Sequence, residues 1–151
     1  MNDLTPDKVA EIAGMALESM AFMVMDPVDT NDEHDVQFRT AITYNNDLED
    51  SELFLSASEG FTIELASALL GIDIDEVDPN EDGSMALSEL TNILAGEVGR
   101  VLGAETSLFD VGIPKLIVDL PDASTDARVV ECLLDTMGDS LHVLIYRTAK
   151  G

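Results

Sequence analysis

Apolar positions recur at helical spacing from the start of the chain. Val9, Ile12, Ala13, Ala16, Met20 and Met23 follow Thr5-Pro6, a capping residue and a proline suited to the first helical turn. Met20 to Met25 is apolar almost all round, so it is expected in the core, with a dimer contact as the alternative, and Asp26-Pro27 is expected to stop the helix. Val28 to Asp35 reads as an acidic loop. Val36 to Tyr44 alternates and is rich in Val, Ile, Thr and Phe, which predicts a strand. Asn45-Asn46-Asp47 makes a turn, and Leu53 to Ser56 returns as its antiparallel partner. Phe61 to Leu70 is an apolar helix closed by Gly71, followed by the acidic stretch Asp73 to Asp82. Ser84 to Leu102 is the clearest helix, with Ser84 as its cap and Gly103 at its end. Ser107 to Phe109, Lys115 to Leu120, Val129 to Leu134 and Leu141 to Tyr146 are β-like, and the last two flank a hairpin turn at Met137 to Ser140. The order predicts an α+β fold, an antiparallel β-sheet packed by about three helices, in one domain spanning 1–151.

The helix at Ser84 to Leu102 has two unlike faces. At ~100° per residue, Leu87, Leu90, Leu94, Val98 and Val101 share one broad apolar face. Glu89, Asn92, Gly96 and Gly99 fall opposite, with Arg100 beside them. Asn is a poor interior helix residue, and each interior Gly costs about 1 kcal/mol relative to Ala. A merely solvated face needs neither. Glu89 and Asn92 are neighbours at i,i+3, and the glycines add no bulk, so another surface can approach them.

Charge narrows the partners. The 151 residues carry 7 Lys+Arg against 31 Asp+Glu, a formal charge of −24. Nucleic-acid backbones and anionic membrane surfaces repel such a chain. The sequence lacks a basic leader and any apolar run of membrane-spanning length, so a soluble cytoplasmic protein is expected. One cysteine, Cys132, excludes an internal disulfide framework and a cysteine-rich zinc site. It alternates with apolar neighbours and reads as a buried thiol. His34 and His142 have no metal-ligand partner at a telling spacing.

The run Leu87-Ser88-Glu89-Leu90-Thr91-Asn92-Ile93-Leu94-Ala95-Gly96 resembles the signature helix of the CheC/CheX family of chemotaxis phosphatases. Gly112-Ile113-Pro114-Lys115-Leu116-Ile117-Val118 is similar to the family's proline-containing lead into a strand, with Pro114 about one residue off the family's spacing. The resemblance implies hydrolysis of the aspartyl phosphate on a CheY-type response regulator in chemotaxis. It implies that Glu89 pairs with a lysine of the regulator and that Asn92 orients the attacking water. Gly96, Gly99 and Pro114 would then serve partner docking. No cofactor of its own is implied; Mg²⁺ would sit on the regulator. CheC-like members carry a second Glu-x-x-Asn on the first helix. Here Glu11 is followed by Gly14 and Glu18 by Ala21, which fits the single-site CheX-like pattern, whose members are typically homodimers. Met85 stands where the family usually has Asp or Ser. A non-catalytic adaptor of the same fold, in a chemotaxis or flagellar complex, is the alternative.

A second motif overlaps the same residues. Asp78-Pro79-Asn80-Glu81-Asp82-Gly83-Ser84 through Glu89 matches the EF-hand loop pattern, which would make the segment a calcium-binding module. Pro79, the missing incoming helix and the lack of a second loop favour an acidic linker and helix cap instead.

The charge also sets a condition on stability. Self-repulsion weakens the compact state at low ionic strength, so the melting temperature should rise as salt is added up to about 0.15 M. A flat or falling melting temperature across that range would contradict this.

Overall fold

The computed structural model describes residues 4–32, 35–103 and 110–150. Helix α1 (Pro6–Ala21) leads into strand β1 (Asp26–Val28), then β2 (Phe38–Asn45), β3 (Glu49–Ala57) and α2 (Glu59–Leu70). A single 3-10 turn (Ile74–Glu76) precedes α3 (Glu81–Gly103). Strands β4 (Asp110–Val111), β5 (Lys115–Ile117), β6 (Arg128–Thr136) and β7 (Asp139–Ala149) follow. All seven strands join one antiparallel sheet in the order β1-β6-β7-β3-β2-β4, with β5 also pairing β2. The α+β expectation holds.

The strands alternate as their pleat demands. Ile42, Leu53, Leu55, Val143, Ile145, Cys132 and Leu134 point to the side that packs on the helices. There α1 lies against β6, and α3 lies against β2 and β3. Helix α2 wedges against α3, where Gly83 lets the helices close up: a Cβ there would meet Thr62 Oγ1 at 3.2 Å. Met25 is buried, and Met20 and Met23 pack against the core, so the methionine-rich end of α1 serves the fold.

Two helix ends and one added strand differ from the sequence expectation. Helix α1 stops at Ala21, before Asp26-Pro27, because Phe22 adopts the left-handed conformation (φ 55°) and its N–H closes on Glu18. The freed Asp26–Val28 then pairs with Asp135–Leu133 of β6 as an edge strand. Helix α3 begins at Glu81 rather than after Ser84. Asp78 Oδ1 accepts from the N–H groups of Asn80 and Glu81, and the Asp82 carboxylate reaches back to the Asp78 N–H. The β-like stretch Ser107 to Phe109 lies outside the described residues, as does His34.

The far ends of β3, β6 and β7 are clamped by one carboxylate. Glu49 Oε1 accepts from Arg147 Nε and Nη2 at 3.1 and 3.0 Å, and Oε2 faces Arg128 Nη2 at 3.5 Å. Glu49 and Arg147 are both buried. On the opposite side of the sheet, Phe54 and Tyr146 meet edge to face. There Tyr146 donates to the Pro121 carbonyl of the β5–β6 crossover.

Cys132 sits on the helix-facing side of β6 and is buried. Burial, then the neighbouring Glu131 charge, pushes its thiol up to about 12. Only the unfolded chain offers a reactive thiolate near pH 8, so alkylation there should track global unfolding. Rapid stoichiometric labelling of the folded protein would show the site to be open.

Candidate functional site

Helix α3 buries most of its circumference. Leu87, Leu90, Leu94 and Val98 are fully buried, and Val101 is half-buried at the far end. The narrow remaining stripe carries Met85, Glu89, Asn92 and Arg100, all exposed, with Gly96 half-buried among them. A Cβ on Gly96 would meet nothing within 4 Å, so the space above it is open. Gly99, two turns on from Asn92 and at nearly the same angle around the helix, is buried.

What orients this stripe is a polar contact on the opposite side of the helix. Thr91 Oγ1 donates to the Leu87 carbonyl at 2.7 Å. Its proton is thereby committed, so the 2.5 Å contact with Thr40 Oγ1 must use the Thr40 proton. Both threonines are fully buried. Thr40 lies on β2, and Thr91 immediately precedes Asn92. A directional hydrogen bond in an otherwise apolar interface fixes both the rotation and the axial position of α3 over the sheet. One feature of the sequence marks this contact, a threonine embedded in an apolar helix face.

Pro114 is half-buried in the β4–β5 connection. Its neighbours are anchored: Gly112 donates to the Thr43 carbonyl at 2.8 Å, and a Cβ at Gly112 would meet Thr43 Oγ1 at 2.6 Å. Leu116 pairs with Thr40 of β2, the threonine that holds Thr91. The β4–β5 edge therefore flanks α3, exposing Ile113, Leu116 and Val118 beside it. On the other flank a groove of about 540 Å³ separates α3 from α1, floored by Ile12, Met20 and Ile93. Helix α1 presents Glu11 and Met15 there, with Gly14 and Ala21 in the places where a second amide would stand.

The calcium geometry is absent. Residues 81 to 89 are helical, which separates Asp82 from Glu89 by about 10 Å of rise. Asp78 and Asp82 are engaged in capping. An EF-hand loop needs these carboxylates to converge. His142 instead pairs with Glu131 at 2.7 Å, on the sheet face away from α3.

Solved structures share this fold. No protein-family profile matches the sequence, and no curated protein does either. The chain is similar to the chemotaxis protein CheX from Vibrio vulnificus, at TM-score 0.74 and 15% identity, over 93% of this chain and 94% of that one. The chain has the CheC/CheX fold. A CheC-like superfamily protein from a Shewanella species matches at TM-score 0.74 and 17% identity, covering 96% of each chain. CheX from Borrelia burgdorferi, solved in a complex with CheY, BeF3 and Mg²⁺, matches at TM-score 0.73 and 16% identity, over 93% and 95%. Looser likenesses are FliY from Thermotoga maritima and the FliM middle domain from H. pylori, at TM-scores 0.57 and 0.52.

The threonine pair makes an asymmetric prediction. Thr91→Val strands the Thr40 hydroxyl in the core and should cost about 1–3 kcal/mol. Thr40→Val leaves Thr91 bonded to Leu87 and should cost less than about 1 kcal/mol. The double variant should be no less stable than Thr91→Val alone. Denaturant titrations of the three variants check the order, and equal losses in the two single variants would contradict it.

Proposed function

We propose that this chain acts in chemotaxis signalling as a phosphatase for a CheY-type response regulator, using the open stripe of α3. The observation that carries the reading is the pair Glu89 and Asn92. They are side by side and exposed on a helix whose rotation is locked from below, within a CheC/CheX fold. A carboxylate and a neutral amide are what a chain of −24 can contribute to phosphoryl chemistry. Cations would come from the regulator, as its lysine and its Mg²⁺. Glu89 pairs with that lysine and sets the docking register. The Asn92 amide holds a water in line with the aspartyl phosphate. Attack on phosphorus breaks the P–O bond to the aspartate and releases inorganic phosphate and the free carboxylate. Gly96 leaves room for the regulator's surface, and Pro114 with the exposed Ile113 and Leu116 provides a flanking apolar contact.

The adaptor reading draws on the likeness to FliY and FliM and on Met85, an exposed apolar side chain one turn before Glu89. In that reading the same face binds a partner without hydrolysis. A homodimer belongs to the phosphatase reading through its CheX-like pattern.

Single-turnover dephosphorylation of a Mg²⁺-loaded phosphorylated receiver domain separates these readings. Asn92→Ala should slow phosphate loss by about a hundredfold within the complex and leave the receiver's affinity nearly unchanged. Glu89→Ala should weaken the complex by roughly tenfold or more and slow the reaction as well. Neither should lower the melting temperature, since both side chains are exposed, and Asn92→Ala should gain a few tenths of a kcal/mol. Binding without phosphate loss in the wild-type protein selects the adaptor reading. Full activity in both variants removes the chemistry from α3.

A further inference from the structure

Two bulky apolar residues sit where neither burial nor backbone preference favours them. Phe22 caps α1 at φ 55° and is 91% exposed. Met137 opens the two-residue β6–β7 turn at φ 51° and is fully exposed. Positive φ is unfavourable for a residue with a Cβ, and glycine or asparagine would serve both positions at less cost. Val24, also largely exposed, completes the group. The register of β1 on β6 sets Asp26 opposite Asp135, so the segment that enters β1 and the β6–β7 turn lie at the same end of this strand pair. Two segments far apart in sequence thus bring exposed apolar side chains to one corner of the sheet.

The rim of that corner is acidic. Asp26 faces Asp135 directly across the strand pair, a destabilising like-charge contact. Glu18 lies one turn before Phe22. None of these three carboxylates makes an ion pair with a described residue. Arg128, Arg147 and Lys150 are gathered at the opposite ends of β6 and β7. A second copy of the chain would set the same acids face to face.

We propose that this corner is a docking surface for a basic amphipathic segment of a partner protein, one presenting two or three apolar side chains inside a rim of Lys and Arg. The apolar knobs fill the centre of the contact, and the carboxylates steer and register the basic rim. This surface uses no residue of α3, so it holds whether or not α3 is catalytic.

Any polycation is attracted to a chain of this charge, so the test keeps charge constant. The probe is a synthetic amphipathic helix of Leu and Lys, titrated in about 0.15 M salt. It is offered to the wild-type protein, to Phe22→Asn/Val24→Ser/Met137→Asn, and to a control, Leu48→Ser/Ile74→Ser, which removes two exposed apolar residues elsewhere. The corner variant should bind about tenfold or more weakly, with the control unchanged. Amide shifts on binding should concentrate at residues 22–28 and 135–139. The corner variant should melt no lower than wild type, since asparagine tolerates the left-handed conformation. Equal affinity in the corner and control variants, or shifts spread over the acidic surface, would overturn the proposal. So would a lower melting temperature, which assigns these side chains to the fold. A change of oligomeric state with unaltered peptide affinity would overturn it in favour of a second copy.

Discussion

The open stripe of α3 depends on a hydrogen bond on the buried side of the helix. Apolar side chains hold α3 to the sheet strongly but without direction, and leucines tolerate small rotations. The Thr40–Thr91 contact does not. Thr91 has already given its proton to Leu87, so it can only accept, and Thr40 on β2 must supply the donor. A rotation of α3 by a few tens of degrees would strand a buried hydroxyl, at a cost of about 1–3 kcal/mol. Asn92, the next residue, takes its direction from that bond.

The sheet is held rigid beneath it by local fits of the same kind. Gly83 admits Thr62 between α3 and α2, and Gly112 admits Thr43 at the β4–β5 edge. Glu49 gathers two arginines from β6 and β7. A buried ion pair of this sort is weak support for stability, but losing one partner leaves an uncompensated charge, so it resists local opening. These contacts leave the flank of α3 toward β5 and the groove toward α1 as the surfaces on which shape can vary.

How much of this was legible follows from what each signal reports. Periodicity reports burial, and it placed Leu87, Leu90 and Leu94 inside and Glu89 and Asn92 outside, as the structure has them. It does not report the burial of Gly99, because a glycine's exposure depends on what packs on its flank rather than on its own side chain. Asp-x-Asn-x-Asp was ambiguous because the same carboxylates that would bind calcium also cap helices. The capping bonds from Asp78 and Asp82 decide it and move the start of α3 to Glu81. Three-residue β1, with a proline inside it, carries too little pattern to be seen at all. The threonine pair was illegible for a different reason: a hydroxyl on an apolar face says that a partner is needed, not which strand supplies it.

The two ends of the sheet treat charge in opposite ways. At one end, scarce cations are spent on satisfying Glu49 and Asp50 within the fold. At the other, Asp26 and Asp135 face each other across β1 and β6 with no cation between them among the described residues. In a chain with 7 basic residues, where those residues go decides which acids stay available to a partner. Glu97 on α3 is taken by Arg100, whereas Glu89, two turns earlier on the same helix, makes no ion pair with a described residue. An exposed acid left without a cation, beside an amide and above an open glycine, is free to meet a lysine brought by another protein. The same uneven distribution that leaves the corner of β1 acidic also leaves Glu89 open to a partner.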